Sequence, residues 1–249
     1  MPRILFPPGL YFHHKFDHVF DGSPPPRVSF AVCAHPRSGS SLLCEVLAMT
    51  ELAGAPSEAF DEYQMNMFKR AWGVDTFDQY VAALMQKKTS PNGVFGFKAH
   101  YQQLIQAFGD RDLTAVFPGL RFVYIRRLDH VRQAVSYARA TQTEQWTSEH
   151  ERPAAPPVYD RGQIHALLEG IELEEQAWER YFAGCDAPLL RVVYEDLARA
   201  VDRTMIDVMH FLDIELPPGF EVPRPTLGRQ ADELTDEWVA RYLAEEVGA

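Results

Sequence analysis

The most constraining feature of this chain is a predicted strand, loop and helix close to its start. Residues Val28 to Ala34 form a continuous, mainly apolar run with prolines on both sides. A short run of this kind is typical of a strand that is buried on both faces. A loop rich in serine follows over 35–40, and residues 41–49 then show helical spacing. The segment therefore predicts a buried strand that turns directly into a helix.

The same alternation recurs along the rest of the chain. Further strands are predicted at Val94 to Lys98, Arg121 to Arg126 and Pro188 to Tyr194. Helices are predicted after these strands and at 76–87, 161–183, 195–212 and 232–246. Strands that alternate with helices indicate an α/β fold with a mostly parallel sheet. Because ligands bind at the carboxyl ends of such strands, the loops after residues 34, 98 and 126 are expected to carry the chemistry.

Length and charge limit the classes of protein to consider. The 249 residues suit a single domain over 28–249. An irregular, proline-rich arm over 1–27 is predicted before it. The net charge of -11 argues against a protein that grips the backbone of DNA or RNA. An acidic chain that binds a polyanionic nucleotide must gather its few arginines at one site.

The cysteines and the apolar segments indicate the compartment. The chain has three cysteines, Cys33, Cys44 and Cys185. Because their number is odd and their spacing is irregular, reduced thiols are favoured over disulfides or a zinc site. The first 18 residues lack the apolar core and cleavage site of a signal peptide, and no run of about 20 apolar residues occurs. We expect a cytoplasmic protein that does not span a membrane; its oligomeric state stays open, a homodimer included.

The loop after the first predicted strand has the composition of an anion site. A helix N-terminus offers unpaired N–H groups and the positive end of the helix dipole. Gly39 lets the backbone approach a ligand, and the Arg37 guanidinium matches phosphate geometry. A serine-capped turn with no ligand is the alternative. The remaining loop residues with predicted contacts are Pro36, Ser38, Ser40 and Ser41.

Two other phosphate chemistries do not fit this loop. A nucleoside triphosphatase loop requires two glycines and a lysine in the pattern G-x-x-x-x-G-K-[ST]. Here Gly39 is the only glycine of the loop, and no lysine follows it. A cysteine phosphatase requires an arginine further along the loop from its thiolate, and Arg37 lies too close to Cys33. The sequence therefore indicates neither class.

A second anion site is predicted where the third strand of this series meets its helix. Arg127 follows the strand directly, and Ser136 lies about two turns into the helix. Both could reach a second phosphate near the first loop. The alternative is that Arg126 and Arg127 pair with Asp129 or Asp112 at the surface. Beside a phosphate loop, we favour the functional interpretation of Arg127.

Several segments, in order along the chain, carry a resemblance to a known family. They are Pro36 to Leu43, Ala53 to Phe60, Gly93 to Lys98, Arg127 with Gln133 to Ser136, Gln142-Thr143 with Trp146, and Arg229 to Asp232 with Asp236 to Val239 and Arg241-Tyr242. They resemble the bacterial sulfotransferases that use 3′-phosphoadenosine 5′-phosphosulfate (PAPS), most closely the trehalose 2-sulfotransferase family. The resemblance implies a P-loop-like three-layer sandwich with a central, mostly parallel sheet and helices on both faces. It covers most of residues 28–242.

The resemblance also implies an activity and a set of site residues. The protein would transfer a sulfuryl group from PAPS to a hydroxyl of a small carbohydrate or related metabolite, such as a sugar or a glycolipid precursor. The stretches 1–27, 65–92 and 147–160 depart from the family pattern, which leaves the acceptor open. The implied donor site consists of Pro36, Arg37, Ser38, Gly39, Ser40, Ser41, Arg127, Ser136, Arg229 and Gln230. The implied acceptor contacts are Lys98, His100, Gln142 and Trp146.

The expected mechanism needs a base and positive charge, but no metal. Glu58 takes the proton of the acceptor hydroxyl, and Arg37 stabilises the leaving phosphate. Glu58 could instead be a glutamate at a helix N-terminus, in which case His35 or His100 is the next candidate base. Arginine, the helix dipole and hydroxyl groups supply the positive field that a metal would otherwise provide.

Two alternative functions stay open from the sequence. One is a catalytically inactive protein that binds a 3′-phosphoadenosine nucleotide. The other is a different nucleotide-dependent transferase, such as a kinase-like enzyme. The missing loop lysine and the lack of an acidic pair for a metal argue against the kinase-like enzyme.

Overall fold

The computed structural model describes residues 3–4, 18–20, 22–146, 155–228 and 232–247. Numbered in chain order, the strands are β1 (Arg3–Ile4), β2 (His18–Val19), β3 (Val28–Ala34), β4 (Val94–His100), β5 (Arg121–Arg126) and β6 (Leu189–Val193). The helices are α1 (Ser40–Met49), α2 (Glu62–Trp72), α3 (Phe77–Lys88), α4 (Tyr101–Phe108), α5 (Leu113–Val116), α6 (His130–Thr143), α7 (Arg161–Ala183), α8 (Tyr194–Arg199), α9 (Val201–Phe211) and α10 (Glu233–Val247).

Four parallel strands form the central sheet in the order β4-β3-β5-β6. The central strand β3 is buried along its whole length, as its apolar run predicts. Its last residue, Ala34, pairs with His100 of β4 on one side and with Ile125 of β5 on the other. The carboxyl ends of these strands therefore meet at one edge, which brings the three predicted loops together.

The two faces of the sheet are covered by different helices. Phe30 and Val32 of β3 belong to one apolar core that includes side chains of α1 and α9. Ala31 and Cys33 face the opposite core, to which α2, α3, α4 and α7 contribute. This alternation along β3 follows from the strand period of two. The prediction of a three-layer α/β sandwich with a parallel sheet and helices on both faces is thereby confirmed.

Two elements differ from the sequence prediction. The helix predicted over 195–212 is divided into α8 and α9 because Ala200 leaves the helical region, with φ -141° and ψ 63°. The break lets Leu197 and Met205 enter the same core. Helix α2 was not predicted, although Met65, Phe68 and Trp72 stand at helical spacing and pack on the second core, and Asp61 and Gly73 cap its two ends.

The structure describes three short parts of the segment before β3, residues 3–4, 18–20 and 22–27. Strands β1 and β2 form a short antiparallel pair. Val19 and Phe20 are buried, and the backbone N–H of Phe20 donates to the Lys87 carbonyl at 2.8 Å. This stretch therefore packs against the end of α3. Of the helices that the structure describes, none combines the length and the apolar character needed to cross a bilayer.

Candidate active site

A cavity of about 800 Å³ opens at the carboxyl edge of the sheet. Residues that end or follow all four strands of the central sheet line it, as expected for a ligand site in a parallel sheet. The cavity therefore joins the two predicted anion sites and the predicted base in one space. The predicted site residues that line it are Pro36, Arg37, Gly39, Ser40, Ser41, Glu58, Lys98, His100, Arg127, Ser136 and Trp146.

The loop between β3 and α1 presents a helix N-terminus to this cavity. Helix α1 begins at Ser40, directly after Gly39, and Gly39 caps it without a side-chain hydrogen bond. The first N–H groups of a helix have no partner within the helix, so they can receive an anion. Gly39 has a φ of 91°, and a Cβ there would lie 2.3 Å from Cδ2 of Tyr194. Only glycine fits at this position.

Arg37 ties the loop to helix α6. Its φ of 66° lies in the left-handed region, an unfavourable conformation for a residue other than glycine and one that is found at functional sites. Its Nε donates to Ser136 Oγ at 3.0 Å, and its Nη1 donates to the Trp146 carbonyl. Burial and, to a smaller extent, the neighbouring Arg127 lower the pKa of Arg37 to about 10, which leaves it charged at neutral pH.

Arg127 is the second cation of this end of the cavity. Its side chain is buried, and its guanidinium carbon lies 4.9 Å from the centre of the Tyr194 ring. Burial lowers its pKa. Within the described residues its buried Nε has no hydrogen-bond partner. Such a cation, close to Arg37, is what a site for a bound anion requires.

The described contacts do not support the alternative in which Arg127 forms a surface ion pair. Asp129 lies 3.2 Å from Arg132, whose Nη1 also contacts Asp236. Asp112 accepts from the backbone and the side chain of Thr114. Both carboxylates are therefore engaged with groups other than Arg127.

Glu58 lies at the centre of a polar cluster in the lining of the same cavity. Lys98 Nζ is 2.6 Å from Glu58 Oε1 and 3.3 Å from Ser41 Oγ, so it bridges the carboxylate and the first turn of α1. Gln103 Nε2 donates to Glu58 Oε2 at 3.1 Å. The carboxylate is thus held in a fixed orientation beside the phosphate loop, as a general base requires.

The two histidines lie in different surroundings. His100 Nδ1 is 3.0 Å from the Ala34 carbonyl, which can only accept, so Nδ1 carries the proton and Nε2 points towards Glu58 Oε1 at 3.7 Å. His35 is buried, does not line the cavity, and has its Nε2 3.4 Å from Glu174 Oε2. Burial lowers the pKa of His35 to about 4. Of the two alternative candidates for the base, His35 and His100, only His100 lines the cavity.

Of the predicted site residues that the structure describes, two do not line the cavity. Ser38 is buried beneath the loop. Gln142 lies at the surface, where it bonds to the backbone of Val158 in both directions and to Gln163. The predicted donor contacts Arg229 and Gln230 lie outside the described residues. Over the described ranges, no group of three or more His, Cys, Asp or Glu side chains is arranged to hold a metal ion.

Several cavity residues were not predicted. Tyr194 contacts both Gly39 and Arg127, and its place at the end of the fourth strand was a signal that would have identified it. Gln103 had no such signal, because it belongs to no motif and only the fold brings it to Glu58. Asp61 lies three positions after Glu58, so the sequence did contain a signal for it. The other unpredicted polar or aromatic residues of the lining are Tyr63, Gln64, Arg132, Tyr137 and Thr235.

Comparisons with known proteins agree with this geometry. The family model described as Stf0 sulphotransferase matches residues 29–245. A trehalose 2-sulfotransferase of Mycolicibacterium smegmatis is 30% identical over 255 aligned positions, which cover 86% of this chain and 94% of that protein. Its counterpart of Mycobacterium tuberculosis is 31% identical over 258 positions, with 87% and 94% covered.

One solved structure adds evidence on the fold. The sulfotransferase domain of the Synechococcus PCC 7002 olefin synthase superposes with a TM-score of 0.50. The superposition covers 90% of this chain and 97% of that domain, at 14% sequence identity. At this identity the likeness concerns the fold alone.

Proposed function

Because the chain belongs to the Stf0 sulphotransferase family, we propose that it transfers a sulfuryl group from PAPS to a hydroxyl of a small carbohydrate. The observation that carries the proposal is the convergence of the buried Arg127, the partly buried Arg37 and a tethered carboxylate on one cavity. Arg37 and Arg127 lie at its anion end, and Glu58 lies beside the same loop. Two relatives named trehalose 2-sulfotransferase make trehalose the first acceptor to test.

The anion end suits a nucleotide with phosphates at two positions. The N-terminus of α1, with Arg37, would bind the 5′-phosphosulfate, because N–H groups and guanidinium both favour an anion there. Arg127, which follows β5, would bind the 3′-phosphate together with Ser136 of α6. The hydrogen bond from Arg37 to Ser136 joins these two regions, so one bound nucleotide can engage both.

The transfer step follows from the positions of the side chains. The acceptor oxygen attacks sulfur in line with the bond from sulfur to the bridging oxygen of the nucleotide. As the new S–O bond forms and the old one breaks, the acceptor proton passes to Glu58 and negative charge develops on the 5′-phosphate. Arg37 and the first N–H groups of α1 would stabilise that charge. Lys98, between Glu58 and Ser41, is placed to contact the group in transit.

Nucleotide binding provides the first test of this function. The nucleotide product, 3′-phosphoadenosine 5′-phosphate (PAP), is expected to raise the melting temperature, since a ligand that binds the native state stabilises it by mass action. At 100 times its Kd the gain in unfolding free energy is about 2.7 kcal/mol. ATP lacks the 3′-phosphate and should give a much smaller shift.

The variant Arg127→Ala shows whether the difference between the melting-temperature shifts with PAP and with ATP comes from the proposed site. Arg127→Ala should reduce the gap between PAP and ATP, because it removes the cation assigned to the 3′-phosphate. Differential scanning fluorimetry over a range of ligand concentrations measures both shifts. Equal stabilisation of the original protein by PAP and ATP would exclude a PAPS-type donor.

A further inference from the structure

Around Glu58, the residues of the cavity that the structure describes carry more negative than positive charge. Glu58 and Asp61 both line the cavity there, whereas Lys98 is the only lysine of the described lining and already lies 2.6 Å from Glu58. This ion pair compensates the charge of Glu58, whereas it leaves the charge of Asp61 uncompensated. The opposite end of the cavity, with Arg37 and Arg127, has the reverse character. The cavity is therefore polarised, with cations where the donor nucleotide is proposed to bind and an extra carboxylate where the acceptor would enter.

The position of Asp61 is fixed by the backbone around it. Its N–H donates to the Glu58 carbonyl at 2.9 Å, which closes a tight turn between the two carboxylates. Its Oδ1 accepts from the backbone N–H of Gln64 at 3.1 Å, so Asp61 is the N-cap of α2. Neither contact supplies a cation. Among the residues that the structure describes, no lysine, arginine or histidine lies within ion-pair distance of Asp61.

The environment of this carboxylate agrees with an uncompensated charge. Asp61 is half-buried, and its pKa is raised, first by that burial and further by the neighbouring Glu58. The N–H groups of the first turn of α2 and His100 act in the opposite direction. A carboxylate in this setting attracts a cation and repels a second anion.

We propose that Asp61 determines acceptor specificity by charge, so that the site takes neutral or amine-bearing hydroxylated acceptors and disfavours phosphorylated or carboxylated ones. The inference rests on the proposed function, and it narrows the acceptor class. A phosphorylated sugar at this end would lie beside two carboxylates of which only one is paired. Like charges at close range in a partly buried site repel strongly, whereas the same geometry attracts an ammonium group.

The test compares three sugars that share one ring system and differ in charge: trehalose, trehalose 6-phosphate and 6-amino-6-deoxytrehalose. The variant is Asp61→Asn, which removes the charge and keeps an N-cap of similar strength. The matched control is Asp160→Asn, because Asp160 caps α7 in the same manner, at 3.0 Å from the Gln163 N–H, and is exposed outside the cavity. For each protein we would measure kcat/KM for each sugar with PAPS, and the Kd of PAP.

The original protein should use the neutral and the amine-bearing sugar far better than the phosphorylated one. Asp61→Asn should raise kcat/KM for the phosphorylated sugar relative to trehalose by about tenfold and lower the relative value for the amine-bearing sugar. Its Kd for PAP should stay the same, and Asp160→Asn should change neither ratio. A loss of helix stability alone would reduce all three values together.

Three results would overturn the inference, and they differ in meaning. If sulfo transfer occurs but the charge preferences of Asp61→Asn equal those of the original protein, the specificity role of Asp61 is wrong and the proposed function stands. The same holds if the original protein prefers trehalose 6-phosphate. If none of the three sugars accepts a sulfo group although PAP binds, the carbohydrate acceptor is wrong, and the inference falls with it.

Discussion

Replacing Arg37 with alanine is expected to lower kcat by about 100- to 1000-fold, the range typical for loss of one group that stabilises charge in a transition state. Arg37 is largely buried at the loop that precedes α1, and its pKa of about 10 keeps it charged at neutral pH. The negative charge on the leaving 5′-phosphate develops in the reaction, so the guanidinium should contribute more to the transition state than to the bound donor.

Two further variants, Arg37→Lys and Arg127→Ala, test the separate roles of the two arginines. Arg37→Lys keeps the charge and loses the planar fork that reaches Ser136 and the Trp146 carbonyl, so it should recover part of the rate. Arg127→Ala should mainly raise the Kd of PAP, because the 3′-phosphate does not react. Steady-state kinetics with saturating PAPS and calorimetric titration with PAP measure the two effects. If Arg127→Ala reduces kcat and Arg37→Ala only weakens binding, the assignment of the two arginines is reversed.

Glu58→Gln is expected to reduce kcat by at least about 100-fold while PAP binds normally. Glutamine has the size of glutamate and can still contact Gln103, but it cannot take the proton of the acceptor hydroxyl. The structure holds Glu58 by Lys98 at 2.6 Å and by Gln103 at 3.1 Å, so the loss should reflect the missing base more than a displaced side chain. Single-turnover rates with preloaded PAPS isolate the chemical step.

His100→Gln serves as the comparison for this prediction. His100 lies beside Glu58, with its Nε2 3.7 Å from Oε1, and it borders the same cavity. If Glu58 is the base, His100→Gln should reduce the rate much less than Glu58→Gln. A large loss with His100→Gln and near-full turnover with Glu58→Gln would make His100 the base and Glu58 a positioning residue.

The sequence predicted the parts of this fold that depend on local pattern. The buried run Val28 to Ala34 predicted the central strand, and the rule that ligands bind at the carboxyl ends of parallel strands pointed to the loop at Pro36 to Ser41. The rule extends to Tyr194, which follows the fourth strand and packs on Gly39. Local pattern and a general property of parallel sheets were therefore enough to point to the edge of the sheet at which the cavity lies.

The remaining parts depend on tertiary contacts that a linear pattern does not contain. Helix α2 has Met65, Phe68 and Trp72 at helical spacing, but only the fold shows that it starts at the cavity with Asp61 as its cap. The break at Ala200 became visible only from the core that both flanking helices share. Gln142, predicted as an acceptor contact, bonds instead to the backbone of Val158, sixteen positions away. These relations arise from packing between distant segments.

The central claim is that this chain moves a sulfuryl group from PAPS to a carbohydrate hydroxyl. Incubation with PAPS carrying labelled sulfur, first with trehalose and then with an extract of small metabolites, tests it directly by mass spectrometry. We predict a product that has gained one labelled SO₃ group, formed together with an equal amount of PAP, and far less product with Glu58→Gln. A protein that binds PAP tightly and transfers no label to trehalose or to any metabolite of the extract would contradict the claim and identify the chain as a nucleotide-binding protein without this activity.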